Sequence, residues 1–96
     1  MKLTVMAKAL KWFKQEFSLE KGTGIKFYGK VYGSTQIHDN FSIGLSVDKP
    51  LDPLIQKEIE GVLFFIEKED DWFFEDYNLV VDFNGNLEEP EYQFFK

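Results

Sequence analysis

The chain has no cysteine, no arginine, one histidine and three prolines in 96 residues. Without cysteine there is no disulfide, no thiolate nucleophile and no thiolate metal site. Such a chain suits the reduced cytoplasm. All eleven basic residues are lysines. Lysine lacks the planar fork that reads phosphate or guanine in bidentate fashion, so nucleic acid is not an expected partner. A single histidine leaves any metal site to be completed by oxygens. No apolar run approaches the roughly 20 residues that span a bilayer. Met1-Lys2-Leu3-Thr4-Val5 enters a lysine-bearing helical pattern rather than the apolar stretch of a signal peptide. The expectation is a cytoplasmic protein with no membrane contact.

Aromatic side chains are abundant: 18% of the residues, with eleven phenylalanines. Large rings remove much area from water per residue, which suits a small domain short of interior volume. Residues 1–96 are read as a single domain with a ring-filled core and no staple. The net charge of −6 is uneven. Residues 1–33 carry seven Lys and two Glu, a sum of +5; residues 34–96 carry four Lys and fifteen Asp or Glu, a sum of −11. The acidic half also argues against nucleic acid.

Met6, Leu10, Phe13 and Phe17 recur at helical spacing, which predicts an amphipathic helix over 6–18 with Lys8, Lys11 and Lys14 off the apolar stripe. Met6 is a poor cap, and Gly22 and Gly24 stop the helix. Residues 25–32 and 41–47 alternate apolar and polar side chains and predict two strands. Asp48–Pro53, with two prolines, reads as an excursion. Over 54–60, Leu54, Ile55 and Ile59 fit a helical turn slightly better than a strand. Residues 61–66 predict a strand entered at Gly61. Asp70 or Asp71 caps a short turn holding Trp72, Phe73, Phe74 and Tyr77. Residues 79–83 predict a strand. Asn84-Gly85 signals a tight hairpin with positive φ at both residues, and Leu87–Phe95 returns as an edge strand around Pro90. The class is mainly β, or α+β, with the helix packed on one end or face of a curled sheet.

The stretch GKVYGSTQIHDNF (residues 29–41) holds hydroxyls, the only imidazole and a carboxylate between two strands. Ser34, His38 and Asp39 are its candidate binding residues, as donors to a small ligand or a metal. A triad is not expected from neighbours in one short loop without a nucleophile elbow. The chain is therefore read as non-enzymatic, with no catalytic residue and no cofactor. The acidic run from Glu67 to Asp76 reads as a solvated surface that keeps an aromatic segment soluble. Rings left exposed near the C-terminus would mark a dimer or partner surface.

In order, MKLTVMAKALKWFKQEF, GIKFYGKVYGS, FSIGLSVDKP and GVLFFIEKEDDWFFEDYNLVVDF resemble the segments of HesB/IscA-like domains, nearest to the cysteine-poor members of the YneR type. In that family a short strand enters a helix, a strand ends in a glycine turn, and a later strand–turn–strand closes a compact, curled, mixed-β, barrel-like domain. The resemblance implies a role in iron–sulfur cluster biogenesis, as homodimers or larger assemblies. Typical members use three cysteines: one after the glycine turn and two in a Cys-Gly-Cys near the C-terminus. Here Ser34 stands nearest the first, and Glu91–Lys96 has no Cys-Gly-Cys. Serine cannot replace a thiolate on a cluster. The resemblance thus implies a non-catalytic accessory protein acting through partners of the cluster-assembly machinery. The alternative is a small-ligand or metal-binding protein using the 33–40 loop.

Overall fold

The computed structural model describes residues 1–96 as seven strands, two short α-helices and one 3-10 turn. β1 (Leu3–Val5), β6 (Asn78–Asn84) and β7 (Glu89–Phe95) form a three-stranded sheet in the order β1-β6-β7. β2 (Gly24–Ser34), β3 (Asp39–Asp48), β4 (Pro53–Ile59) and β5 (Val62–Glu67) form a four-stranded sheet in the order β3-β2-β5-β4. Each sheet contains one parallel pair, β1 with β6 and β2 with β5. The mainly β class and the mixed pairing are as expected. The barrel-like closure is not: there are two open sheets, and β1, β7, β3 and β4 remain as edges.

Helix α1 (Ala7–Glu16) forms one residue inside the predicted start. Met6 supplies no side-chain cap. Its backbone serves instead: its N–H donates to the Val81 carbonyl at 2.8 Å and its carbonyl accepts from Leu10 at 2.9 Å. The buried face is Ala9, Leu10 and Phe13. Met6, expected on that face, is 44% exposed. The core gathers these residues with Leu3, Ile25, Phe27, Phe64, Ile66, Leu79 and Val81 from both sheets. Phe13 meets Phe27 and Phe64 edge-on at ring distances of 6.0 and 5.2 Å. Each such buried ring contributes about 1.5–3 kcal/mol by removal from water.

Two local readings are corrected. Residues 54–60 are not a helical turn; residues 54–59 lie in β4, paired with β5 from Pro53↔Glu67 to Ile59↔Val62, and Glu60 begins the turn. The hairpin decides this. Glu60 and Gly61 both have positive φ, 49° and 83°, the two-residue turn that matches strand twist. Pro53 is tolerated because it opens an edge strand beside a bulge. The second correction concerns Asn84-Gly85. Neither residue takes a positive φ; Glu88 does, at 53°. The Asn84 side-chain oxygen accepts from the amides of Asn86 and Leu87 at 3.0 and 3.2 Å, closing a longer turn. The return strand therefore starts at Glu89 rather than Leu87, with Pro90 on the sheet edge as expected.

Candidate functional site

The β2–β3 hairpin pairs from Gly24↔Asp48 to Val31↔Phe41 and again at Ser34↔Asp39, with a bulge between Val31 and Ser34. Tyr32 and Gly33 hold the bulge at φ 93° and 84°, and Asn40 sits at 70° on the other strand. Thr35, not Ser34, builds the turn. Its N–H donates to the His38 carbonyl at 2.9 Å. Its hydroxyl accepts from the amides of Ile37 and His38 at 3.3 and 3.1 Å, the local bond that hydroxyl residues make in turns. Ser34 and Asp39 are exposed ladder partners at the base of the tip.

His38 turns back onto the protein. Its Nε2 lies 2.8 Å from the Phe73 carbonyl oxygen and 3.0 Å from Glu75 Oε2. Both are acceptors, so Nε2 carries the proton and donates. The ring stacks on Phe73 at 5.0 Å and approaches Phe41 and Trp72 at 5.9 and 6.2 Å. His38 is thus a latch between the hairpin tip and the segment after β5. Only Nδ1 is left for another partner. No three His, Asp or Glu side chains converge into a group that could hold a metal ion. Ser34, His38 and Asp39 share the tip, Ser34 and Asp39 facing each other across the ladder.

Gln36 fastens the same tip to the other sheet: its side-chain oxygen accepts from the Phe94 amide of β7 at 2.8 Å. Between tip and β7 lies an open groove of about 410 Å³, lined by Ser34, Thr35, Ser42, Pro90 and Tyr92. Burial pushes the Tyr92 hydroxyl well above its ordinary pKa, and the charge of Glu89 adds to this. Tyr92 therefore stays protonated and neutral at physiological pH.

The latched segment is the 3-10 turn Lys68–Asp70 followed by α2 (Asp71–Phe74). Asp70 begins α2 as expected, but its side chain does not cap it. The carboxylate is buried and accepts from the Gly29 amide of β2 at 3.1 Å. Burial raises its pKa above 3.8, opposed chiefly by that amide. Gly29 is required there: a Cβ would stand 2.7 Å from Phe73 Cγ. Glu75 ends α2 in the left-handed region at φ 47°, and Asp76 follows at 63°. Phe73 and Phe74 are wholly buried, whereas Trp72 is 53% exposed. Trp72 meets Phe41 edge-on at 5.4 Å, and Val31, the ladder partner of Phe41, is 61% exposed.

The acidic run is therefore only partly a solvated surface. Besides Asp70, Glu67 is buried, and its two oxygens accept from the amides of Leu51 and Asp52 at 2.7 and 2.6 Å. It holds the proline excursion after β3. Sequence reasoning missed both roles. The available signal was place: Glu67 closes an apolar strand, where a carboxylate is positioned to meet the free amides of a neighbouring loop.

The chain is similar over nearly its full length to the pyruvate dehydrogenase inhibitor of Bacillus subtilis. The two are 32% identical over 94 residues, covering 98% of this chain and 99% of that protein. An uncharacterized protein of Staphylococcus saprophyticus is 34% identical over 95 residues, covering 96% and 97%. One of Staphylococcus haemolyticus is 29% identical over 85 residues. No family model matches the chain. These relatives overturn the expected HesB/IscA-like kinship and, with it, the accessory role in iron–sulfur biogenesis and the cluster-assembly partner. That resemblance rested on the order of short segments with few identities, and the ligand cysteines that would have anchored it are missing. No helix is long and apolar enough to cross a membrane.

Proposed function

The chain belongs to the family of the Bacillus subtilis pyruvate dehydrogenase inhibitor, and we propose that it too inhibits pyruvate dehydrogenase, by binding to it. The observation that carries the reading is the end-to-end similarity. A relative matched over 98% of this chain and 99% of its own length shares the whole unit rather than one module. The side chains favour binding over turnover. The only imidazole donates its Nε2 proton to a backbone carbonyl and a carboxylate, and so is engaged in holding the hairpin tip in place. In this reading Ser34, His38 and Asp39 belong to a protein-binding tip. Ser34 and Asp39 offer exposed polar groups at its base, and His38 fixes its orientation.

The test adds the purified chain to pyruvate dehydrogenase from the organism that encodes it and follows turnover of pyruvate. Activity falls with dose and saturates near one chain per binding site, with a complex visible by size-exclusion chromatography. Full activity and no complex at a large excess of the chain would overturn the proposal.

A further inference from the structure

Among the exposed large apolar side chains, Leu51 lies in the proline excursion and Leu87 in the β6–β7 turn. Isolated exposure of this kind is ordinary. Trp72 is different. Its indole rests edge-on against Phe41, and Phe41 pairs with Val31, so the three side chains form one continuous surface where the inner face of β2–β3 runs past the core. Half of Trp72 and most of Val31 face water.

The surface is also fixed. α2 has only four residues, yet three bonds hold its frame: Asp70 to the Gly29 amide, and His38 Nε2 to both the Phe73 carbonyl and Glu75. Four of the six non-glycine residues with positive φ, namely Tyr32, Asn40, Glu75 and Asp76, flank it. Strained backbone of this kind gathers where function over-determines a conformation. A prepositioned aromatic side chain loses little freedom on binding, and tryptophan is the residue most enriched at the energetic centres of interfaces.

Charge says what kind of surface fits. Residues 67–76 hold six carboxylates and one lysine. Glu67 and Asp70 are buried on backbone amides. That leaves Glu69, Asp71, Glu75 and Asp76 exposed around Trp72. We propose that Trp72, with Val31 and Phe41 beside it and an acidic rim of Glu69, Asp71 and Glu75, is the docking surface of this inhibitor. Its occupant is a lysine- and arginine-bearing protein surface of pyruvate dehydrogenase with an apolar recess for the indole. This rests on the inhibitor reading above.

The experiment measures affinity for pyruvate dehydrogenase, and inhibition of it, for four proteins. These are the wild type, Trp72→Ala, the double variant Glu69→Lys/Asp71→Lys, and Leu87→Ala as a control on a distant exposed side chain. Trp72→Ala loses about 30-fold in affinity, the scale of an interface hot spot. The double variant, which changes two exposed side chains, loses affinity more at low salt than at high salt. Leu87→Ala binds as the wild type does. Trp72→Ala that melts and inhibits like the wild type overturns the surface but leaves the inhibitor reading standing. So does equal loss in Leu87→Ala. Sedimentation of each variant covers the remaining occupant: if Trp72→Ala breaks a homodimer while inhibition persists, the surface belongs to a second copy of this chain and the proposal fails. A wild type that neither binds nor inhibits removes the inhibitor reading and the docking surface together.

Discussion

Asp70 holds a carboxyl group where little water reaches it, 7% exposed and bonded to one amide. Burial raises its pKa above 3.8, against the pull of the Gly29 amide. The folded state therefore binds this proton more tightly than the unfolded chain does. Between the ordinary aspartate value and the raised one, the folded state carries more protons, so stability falls as pH rises through that window. This is the reverse of a salt-bridged aspartate. Asp70→Asn keeps an oxygen for the Gly29 amide and removes the charge. It is expected to equal or exceed the wild type in urea denaturation at pH 7, with the advantage shrinking as pH drops through the window. Asp70→Ala strands the Gly29 amide and should cost about 1–3 kcal/mol. If Asp70→Asn were as destabilised as Asp70→Ala at pH 7, the charge itself would be what holds α2.

A helix of four residues has no stability of its own, so α2 exists because β2 and the hairpin tip hold it. Phe73 lies directly on the Gly29 backbone. Gly29→Ala must displace a buried ring at its root and is expected to lower stability by about 1–3 kcal/mol in urea. Because Trp72 is mounted on the same turn, the proposed inhibition of pyruvate dehydrogenase should weaken with it. Gly85→Ala has nothing within 4 Å and should leave both unchanged. A Gly29→Ala protein as stable as Gly85→Ala would break the link between α2 and β2. This dependence also explains what could be read in advance. Strands β2, β3, β5 and β6 announce themselves by alternation or by apolar runs, which are local. β4 does not: Leu54, Ile55 and Ile59 fit a helical turn, and only pairing across Glu60-Gly61 makes them a strand. His38 stood out as the one histidine, but its partner, the Phe73 carbonyl, is 35 residues away. The exposure of Trp72 depends on which side of α2 docks, and no spacing in the sequence encodes that.

For the whole molecule, the distribution of charge matters more than its sum. The extents are 35 × 33 × 23 Å. At 0.01 M salt the screening length is about 30 Å, so an approaching partner senses the full −6. At 0.15 M it is about 8 Å, and a partner senses only the charges nearest its path. Lys8 and Lys11 lie on α1 and line a hollow with Phe83 and Gly85 at the β6–β7 turn, while the carboxylates around Trp72 belong to the proposed contact. The proposed association with pyruvate dehydrogenase should therefore be fast at low salt and slow by about tenfold or more between 0.01 and 0.15 M, with dissociation changing far less. Rapid-mixing kinetics across that range measures both rates. At 0.15 M, Glu69→Lys/Asp71→Lys should slow association and Lys8→Glu/Lys11→Glu should leave it nearly unchanged, because the first pair borders Trp72 and the second lies by the β6–β7 turn. An association rate that is flat in salt, or one more sensitive to the α1 pair, would mean that the partner meets a different face of the molecule.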